Sequence, residues 1–165
     1  MRTIYILTGP AGSGKTTNLK FWCERHAESS GILSPLIKEK RHFYDLLSKE
    51  TYAMELPEET GKPLRVGKYL FDPASFEWAS RKLKDAVTQQ RQWLVIDEIG
   101  PLELSGEGLA PALEYVLSRS MKTDAHLILV VREQCVEDVL NRFEIDTERL
   151  KIITLSDLKY LDPGL

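Results

Sequence analysis

The sequence predicts an α/β fold in which helices cover both faces of a mainly parallel sheet, giving three layers (α/β/α). Two observations lead to this prediction. Short apolar runs alternate along the chain with segments whose apolar residues recur at helical spacing, which is typical of a parallel sheet with crossover helices. Runs such as Trp93–Ile96 and Leu127–Val131 are also continuously apolar, which indicates strands that are covered on both faces.

The first elements are a strand, a glycine-rich loop and a helix. The β-branched and aromatic run Thr3–Thr8 predicts a buried strand, which Gly9-Pro10 bounds. From Lys15 the apolar residues fall at helical spacing, so a helix is expected to about Ser29. Gly31 is expected to stop this helix and to begin a second apolar run that reaches Ile37.

Residues 38–72 have a less regular pattern. Phe43–Leu47 and Thr51–Leu56 resemble short strands, and Gly61-Lys62-Pro63 is a turn signal. We expect one or two antiparallel hairpins here, with an extended loop as the alternative. Beyond this segment helices and strands alternate again. The expected helices are Asp72–Val87, Leu109–Leu117 and Val136–Phe143, and the expected strands are Trp93–Ile96, Leu127–Val131 and Lys151–Leu155.

Length and composition set limits on the function. The 165 residues suit a single domain, here 1–165, and a net charge of −3 lacks the basic excess of a general nucleic-acid binder. No run approaches 18 apolar residues, so we expect no membrane span. The apolar run Ile4–Leu7 is too short for a signal-peptide core, so we expect a cytoplasmic protein. Cys23 and Cys135 are expected to be buried free thiols, since no Cys/His cluster predicts zinc.

A phosphate-binding loop is the most specific motif. The fixed positions of GxxxxGK[ST] are all matched by Gly9-Pro10-Ala11-Gly12-Ser13-Gly14-Lys15-Thr16. Glycines let successive backbone N–H groups point inward, and the following helix presents its positive end to the same anion. Lys15 can reach the β- and γ-phosphates, the Thr16 hydroxyl can ligate magnesium, and Thr17 can reach the α-phosphate. The sequence therefore predicts binding of a nucleoside triphosphate such as ATP or GTP.

Two adjacent acids follow the apolar run Trp93–Ile96. Enzymes with this loop need an aspartate at a strand end to hold magnesium, and Asp97 fits that role. Glu98 can orient and deprotonate an attacking water, which indicates hydrolysis; the alternative is a solvated acid or a helix cap. Glu103 is a further acid that either supports the site or is merely exposed.

The phosphates need positive charge besides Lys15, and an arginine commonly supplies it. Arg132 follows the run Leu127–Val131 and should emerge at the edge of the sheet where ligands bind. Arg65 and Lys68 are the next candidates. For each of the three, the alternative is a surface ion pair.

These segments together resemble a known family. Gly9–Thr17 (GPAGSGKTT) and Val95–Leu104 (VIDEIGPLEL) resemble the P-loop nucleoside-triphosphatase family first described from thermophiles, which includes the cancer-related nucleoside-triphosphatases. Gly31–Leu33, Arg41–Leu46 and Val66–Phe71 add to the resemblance.

The resemblance implies a P-loop NTPase fold with an added β-hairpin after the second strand. It implies magnesium-dependent hydrolysis of several nucleoside triphosphates with little base preference. It also implies that Lys15 and Thr16 contact phosphate and metal, that Asp97 holds the metal and that Glu98 activates water. Two alternatives stay open: a kinase for a small molecule or nucleotide, and an ATP-driven switch acting on a protein or transporter partner.

Overall fold

The computed structural model describes residues 2–56, 62–119 and 122–161. The strands are β1 (Ile4–Leu7), β2 (Ser29–Leu33), β3 (Leu36–Ile37), β4 (Lys40–Asp45), β5 (Thr51–Ala53), β6 (Leu64–Val66), β7 (Tyr69–Phe71), β8 (Trp93–Ile99), β9 (His126–Val131) and β10 (Leu150–Ile153). The helices are α1 (Lys15–Arg25), α2 (Pro73–Thr88), α3 (Pro101–Leu104), α4 (Ala110–Arg119), α5 (Val136–Arg142) and α6 (Leu155–Leu158).

The main sheet has the strand order β10-β1-β9-β8-β2-β4-β3, and β5 pairs with β4. The five strands from β10 to β2 run parallel, whereas β4 runs antiparallel to β2. The predicted mainly parallel sheet is therefore confirmed. Because parallel strands end at one edge, the segments that follow β1, β2, β8 and β9 meet there, and ligands bind at such edges.

The core consists of two apolar layers separated by the sheet. Ile4 and Ile6 of β1 pack into the layer on one side, whereas Tyr5 and Leu7 pack into the layer on the other. The α2 and α4 side chains belong to the first layer, and α1 belongs to the second through residues such as Trp22. Burial on both faces explains why the strands are continuously apolar, and it confirms the three-layer arrangement.

The irregular middle segment forms antiparallel hairpins, as expected. β4 pairs with β5 at one side of the main sheet, and β6 pairs with β7 in a separate two-stranded sheet. The β6–β7 pair is the added hairpin that the family resemblance implies. Gly61, part of the predicted turn, lies outside the described residues, and Lys62 and Pro63 lead into β6.

Several predicted boundaries were wrong. Helix α1 ends at Arg25, since the backbone at His26 is no longer helical, and Ser29 is already the first residue of β2. Gly31 does not stop the helix; it lies inside β2 with φ +117°, where an added Cβ would come within 2.0 Å of the Val95 carbonyl oxygen. This glycine allows β2 to lie close to β8.

Two further expectations concern buried thiols and membrane helices. Cys23 and Cys135 are free and buried, as predicted. Burial raises the pKa of the Cys23 thiol to about 12, which makes this thiol unreactive near neutral pH.

Within the described parts of the chain, none of the helices combines the length and the apolar character that crossing a bilayer requires.

Candidate active site

The phosphate loop lies between β1 and α1, at the edge where the parallel strands end. Gly12 and Gly14 have φ values of +72° and +87°, a left-handed conformation that glycine adopts without strain. Gly14 directly precedes α1, so the first N–H groups of this helix are directed toward the loop. The Lys15 ammonium donates hydrogen bonds to the carbonyl oxygens of Gly9 and Pro10, each at 2.9 Å, and thus lies over the loop.

Asp97 connects β8 to the phosphate loop. Its Oδ2 accepts a hydrogen bond of 2.7 Å from the Thr16 hydroxyl and another of 3.0 Å from the Ser34 backbone N–H. The Ser34 hydroxyl donates to the Asp97 carbonyl oxygen at 2.8 Å. Ser34 could not be predicted from the sequence, because a serine after a strand has no distinctive pattern. The two residues predicted to share a metal ion are therefore in direct contact.

The environment of Asp97 suits a bound cation. The side chain is completely buried, and burial raises its pKa to about 6 although the Thr16 hydrogen bond opposes the shift. Its Oδ1 is buried and accepts no hydrogen bond from the described residues. An unpaired buried carboxylate oxygen is costly unless a cation or another donor satisfies it. Magnesium, which commonly takes one or two protein ligands and otherwise binds phosphates and water, fits this site.

Glu98 lies between two arginines. Its Oε1 is 3.2 Å from the Arg132 Nε, and its Oε2 is 3.4 Å from a terminal nitrogen of Arg41. The two acids lie at the end of their strand, as expected, and β8 extends one residue past them to Ile99. Position inside a strand also excludes a helix cap for Glu98. The carboxylate is partly exposed, with 27% of its side chain accessible, so water can reach it.

Arg41 belongs to this site, although its position in the sequence did not predict a role beside the phosphates. It lies on β4, within the segment Arg41–Leu46 that carries the family resemblance. Arg132 follows β9, and its side chain passes so close to Gly100 that an added Cβ there would lie 3.2 Å from Arg132 Cδ. Arg65 and Lys68 lie in β6 and in the turn after it, where the Lys68 ammonium is 5.4 Å from the Tyr69 ring centre.

Glu103 lies in α3, shortly after β8, and only 3% of its surface is exposed. The alternative that it is merely exposed was therefore wrong. The pKa of its carboxyl group is raised to about 8, mainly by burial and also by the nearby charge of Glu98, while backbone hydrogen bonds and Arg132 oppose the shift. At neutral pH this group is mostly protonated and uncharged.

A shallow cleft opens beside Glu98, and we call it the hairpin cleft. Its apolar side comes from β4, the β6–β7 hairpin and neighbouring segments and consists of Phe43, Met54, Val66, Tyr69, Phe71, Phe76, Pro101 and Leu102. Its polar side consists of Ser34, Arg41, Glu98, Glu103 and Arg132. The cleft therefore shares Glu98 and its two arginines with the site at the sheet edge.

Comparison with known families agrees with this geometry. The family model described as NTPase matches residues 4–159, which is nearly the whole chain. The chain belongs to the NTPase family. Family membership confirms the resemblance that the two motifs predicted, and it places the chain among enzymes.

Individual NTPase-family relatives are similar to this chain over most of their length. The nucleoside-triphosphatase THEP1 of Thermotoga sp. (strain RQ2) is 25% identical over 143 residues, covering 85% of this chain and 82% of the relative. The protein of the same name from Thermotoga maritima is 23% identical over 146 residues, with the same coverage of 85% and 82%.

Solved structures support the P-loop NTPase fold. The crystal structure of THEP1 from the hyperthermophile Aquifex aeolicus has a TM-score of 0.75 at 20% identity and covers 97% of each chain. The solution structure of a human cancer-related nucleoside triphosphatase has a TM-score of 0.68 at 25% identity, covering 98% of this chain and 95% of that one. The predicted fold class is confirmed.

Proposed function

We propose that this chain hydrolyses nucleoside triphosphates to diphosphate and phosphate with the help of magnesium. The observation that carries the proposal is the contact between Thr16 and Asp97, 2.7 Å apart, with Glu98 next in the chain. This contact unites the phosphate loop with the acidic strand at one point. The relatives in Thermotoga have the name nucleoside-triphosphatase, which agrees with the proposal.

In this proposal the loop Gly9–Thr16 holds the triphosphate through its backbone N–H groups, and Thr17 contacts the α-phosphate. Lys15 moves from its carbonyl partners in the loop to the β- and γ-phosphates, where a phosphate oxygen is a stronger acceptor for an ammonium group. Thr16 and Asp97 would hold Mg²⁺, which neutralises phosphate charge when bound.

Glu98 acts as the general base. Its carboxylate is partly exposed and lies one residue from the proposed metal ligand, so it can accept a proton from a water that attacks the γ-phosphorus. The charge that develops on the phosphate oxygens is balanced by Arg132 and Arg41, which already lie within 3.4 Å of Glu98. These two guanidinium groups also hold the carboxylate in place.

The proposal also covers domain organisation, base preference and location. The chain forms one domain over residues 1–165, uses ATP, GTP and other triphosphates with little base preference, and acts in the cytoplasm. A net charge of −3 agrees with a protein that does not bind nucleic acid.

Release of inorganic phosphate from purified protein tests the proposal. Each of ATP, GTP, CTP and UTP is supplied with Mg²⁺ and, in parallel, with excess EDTA. Phosphate release with all four, abolished by EDTA, is the expected result. A second series adds candidate hydroxyl acceptors. Turnover that requires an acceptor, with negligible release in its absence, would overturn hydrolysis and favour a kinase.

A further inference from the structure

Ser34 directly follows β2, and only 2% of its surface is exposed. Its backbone N–H, its hydroxyl and its carbonyl oxygen each make a hydrogen bond to a residue of the candidate site. We propose that Ser34 is a positioning residue for the reaction, because these contacts fix the Glu98 carboxylate relative to the Asp97 carboxylate. The inference rests on the proposed function, from which the roles of the two acids come.

The first contact of Ser34 orients the side chain of Asp97. The Ser34 N–H and the Thr16 hydroxyl both donate to the Asp97 Oδ2, at 3.0 Å and 2.7 Å. Because hydrogen bonds are directional, two donors on one oxygen limit the rotation of the carboxylate. The Oδ1 is the oxygen that accepts no hydrogen bond from the described residues. The backbone of Ser34 therefore helps to determine which Asp97 oxygen remains available to a cation.

The second contact acts on the backbone between the two acids. The Ser34 hydroxyl donates to the Asp97 carbonyl oxygen at 2.8 Å. This carbonyl belongs to the peptide unit that joins Asp97 to Glu98. Because a peptide unit is planar, a hydrogen bond that holds its oxygen also limits where the Cα atom of Glu98 can lie. The Ser34 hydroxyl thus connects the proposed metal ligand to the proposed base.

The pairing of β8 with β9 does not hold Glu98 in the same way. Asp97 lies opposite Val130 of β9. Ile99 lies opposite the next residue, Val131, so Glu98 has no residue opposite it in that strand. Such an irregularity changes the direction of a side chain and leaves the extra residue outside the regular ladder. The direction of the Glu98 side chain therefore depends on contacts from other segments.

The third contact of Ser34 reaches the Glu98 carboxylate through Arg41. The Ser34 carbonyl oxygen accepts a hydrogen bond of 3.2 Å from Arg41 Nη1, and the same nitrogen lies 3.4 Å from Glu98 Oε2. The contacts form a closed ring that runs from Ser34 through the Asp97 carbonyl, Glu98 and Arg41 back to Ser34. Glu98 is thus held at its backbone and at its carboxylate by one residue.

Removal of the Ser34 hydroxyl opens this ring and leaves the backbone contacts in place. A misplacement of about 1 Å can lower the rate of a reaction by about 10²-fold. We therefore expect Ser34→Ala to lower kcat by about tenfold or more. The KM for the triphosphate should stay within about twofold of the wild type, because the phosphate loop and both donors to the Asp97 Oδ2 are unchanged.

Ser30 provides a matched control within β2. Its side chain is fully buried, and its hydroxyl donates to another β8 carbonyl oxygen, that of Trp93, at 3.1 Å. Ser30→Ala and Ser34→Ala therefore each remove one buried hydrogen bond from a serine to β8, and urea unfolding should show similar losses of stability. Only Ser34→Ala should lower kcat, since Trp93 lies at the other end of β8 from the two acids.

A double-mutant cycle tests whether Ser34 acts through Glu98. Phosphate release at saturating triphosphate and Mg²⁺ gives kcat for the wild type, Ser34→Ala, Glu98→Gln and the variant with both changes. A residue that acts only by placing another one loses its effect when that other residue is replaced. We expect loss of the hydroxyl to change the remaining rate of the Glu98→Gln protein by less than about twofold.

Crystal structures test the same inference without turnover. The wild type and Ser34→Ala are each crystallised with Mg²⁺ and a non-hydrolysable ATP analogue. We expect the Asp97 carboxylate to keep its place in the variant, because its two donors remain. The Glu98 carboxylate should move relative to Asp97 by about 0.5–1 Å, which exceeds the tolerance of a catalytic group.

Three results would overturn the inference: kcat losses that are equal in Ser34→Ala and Ser30→Ala, an undiminished effect of Ser34→Ala in the Glu98→Gln protein, or a Glu98 carboxylate that keeps its wild-type place in the variant structure. Failure of the proposed function would look different. Glu98→Gln alone would then retain full turnover, while the displaced carboxylate in the Ser34→Ala structure would still show that Ser34 positions Glu98.

Discussion

The Thr16 hydroxyl and the Asp97 carboxylate, 2.7 Å apart, join the phosphate loop to the neighbouring β8. We expect Thr16→Ala to remove most of the effect of Mg²⁺ on triphosphate affinity, because one of two proposed metal ligands is lost. Titration calorimetry with a non-hydrolysable analogue, with and without Mg²⁺, measures this effect. Thr16→Ser keeps the hydroxyl and should behave as the wild type. An undiminished Mg²⁺ effect in the alanine variant would remove Thr16 from the metal site.

Glu98→Gln should lower kcat by about 10²–10⁴-fold, the usual contribution of a positioned general base. Triphosphate binding should remain within a few-fold of the wild type, since the phosphate loop is unchanged. Phosphate release and analogue binding are measured on the same preparation. Glu107→Gln, an exposed acid nearby, is the matched control. Undiminished turnover in the Glu98 variant would assign the base to another group.

Arg41→Ala should reduce kcat by at least about tenfold, as should Arg132→Ala, because each guanidinium balances charge at the γ-phosphate and holds Glu98. Phosphate release at saturating triphosphate measures both variants. Arg81→Ala, on the exposed face of α2, controls for the loss of one positive charge. If the Arg41 variant kept full kcat, its contact with Glu98 would be structural only.

Gly31→Ala should lower the free energy of unfolding by about 3 kcal/mol or more, because φ is +117° and the added methyl group would meet the Val95 carbonyl oxygen at 2.0 Å. Gly67→Ala is a matched control: its φ is +57°, but an added Cβ has no neighbour within 4 Å. That variant should lose only about 1 kcal/mol. Urea unfolding compares the two. Equal losses would contradict the close approach of β2 to β8.

Glu103 should make stability depend on pH. Its pKa is about 8 in the folded protein against 4.5 for the free side chain, so the folded state retains a proton that the unfolded state releases. Its contribution to the free energy of unfolding therefore falls as the pH rises from 4.5 to about 8. Urea unfolding at pH 5 and pH 8 should show a smaller decrease for Glu103→Gln than for the wild type. The exposed Glu107→Gln should show the wild-type decrease.

The sequence predicted the strands of the main sheet well because burial on both faces leaves a continuous apolar signal. The phosphate loop was equally clear, since its glycines and Lys15 follow from the geometry of anion binding. Helix ends were less predictable: Gly31 looked like a stop signal, although its true role depends on how closely Val95 approaches from another strand. Such a contact between distant segments has no local pattern.

The candidate site was predicted only in part for the same reason. Asp97 and Glu98 were found through their position after an apolar run, although β8 extends past them. Arg41 and Ser34 were not selected, because their roles arise from the pairing of β2 with β4 and with β8, which brings them to the two acids. The burial of Glu103 likewise follows from tertiary packing rather than from its neighbours in sequence.

The separate origins of the hairpin cleft and the phosphate loop have a consequence for how such a protein can evolve. Residues 9–17 form the loop, whereas six of the apolar side chains that line the cleft lie between residues 43 and 76. Mutations in the second segment can alter the cleft lining beside Glu98 while the binding of the triphosphate by the phosphate loop is unchanged. Descendants of one ancestral enzyme can thus acquire new modulators or acceptors through changes in a single contiguous stretch of the gene.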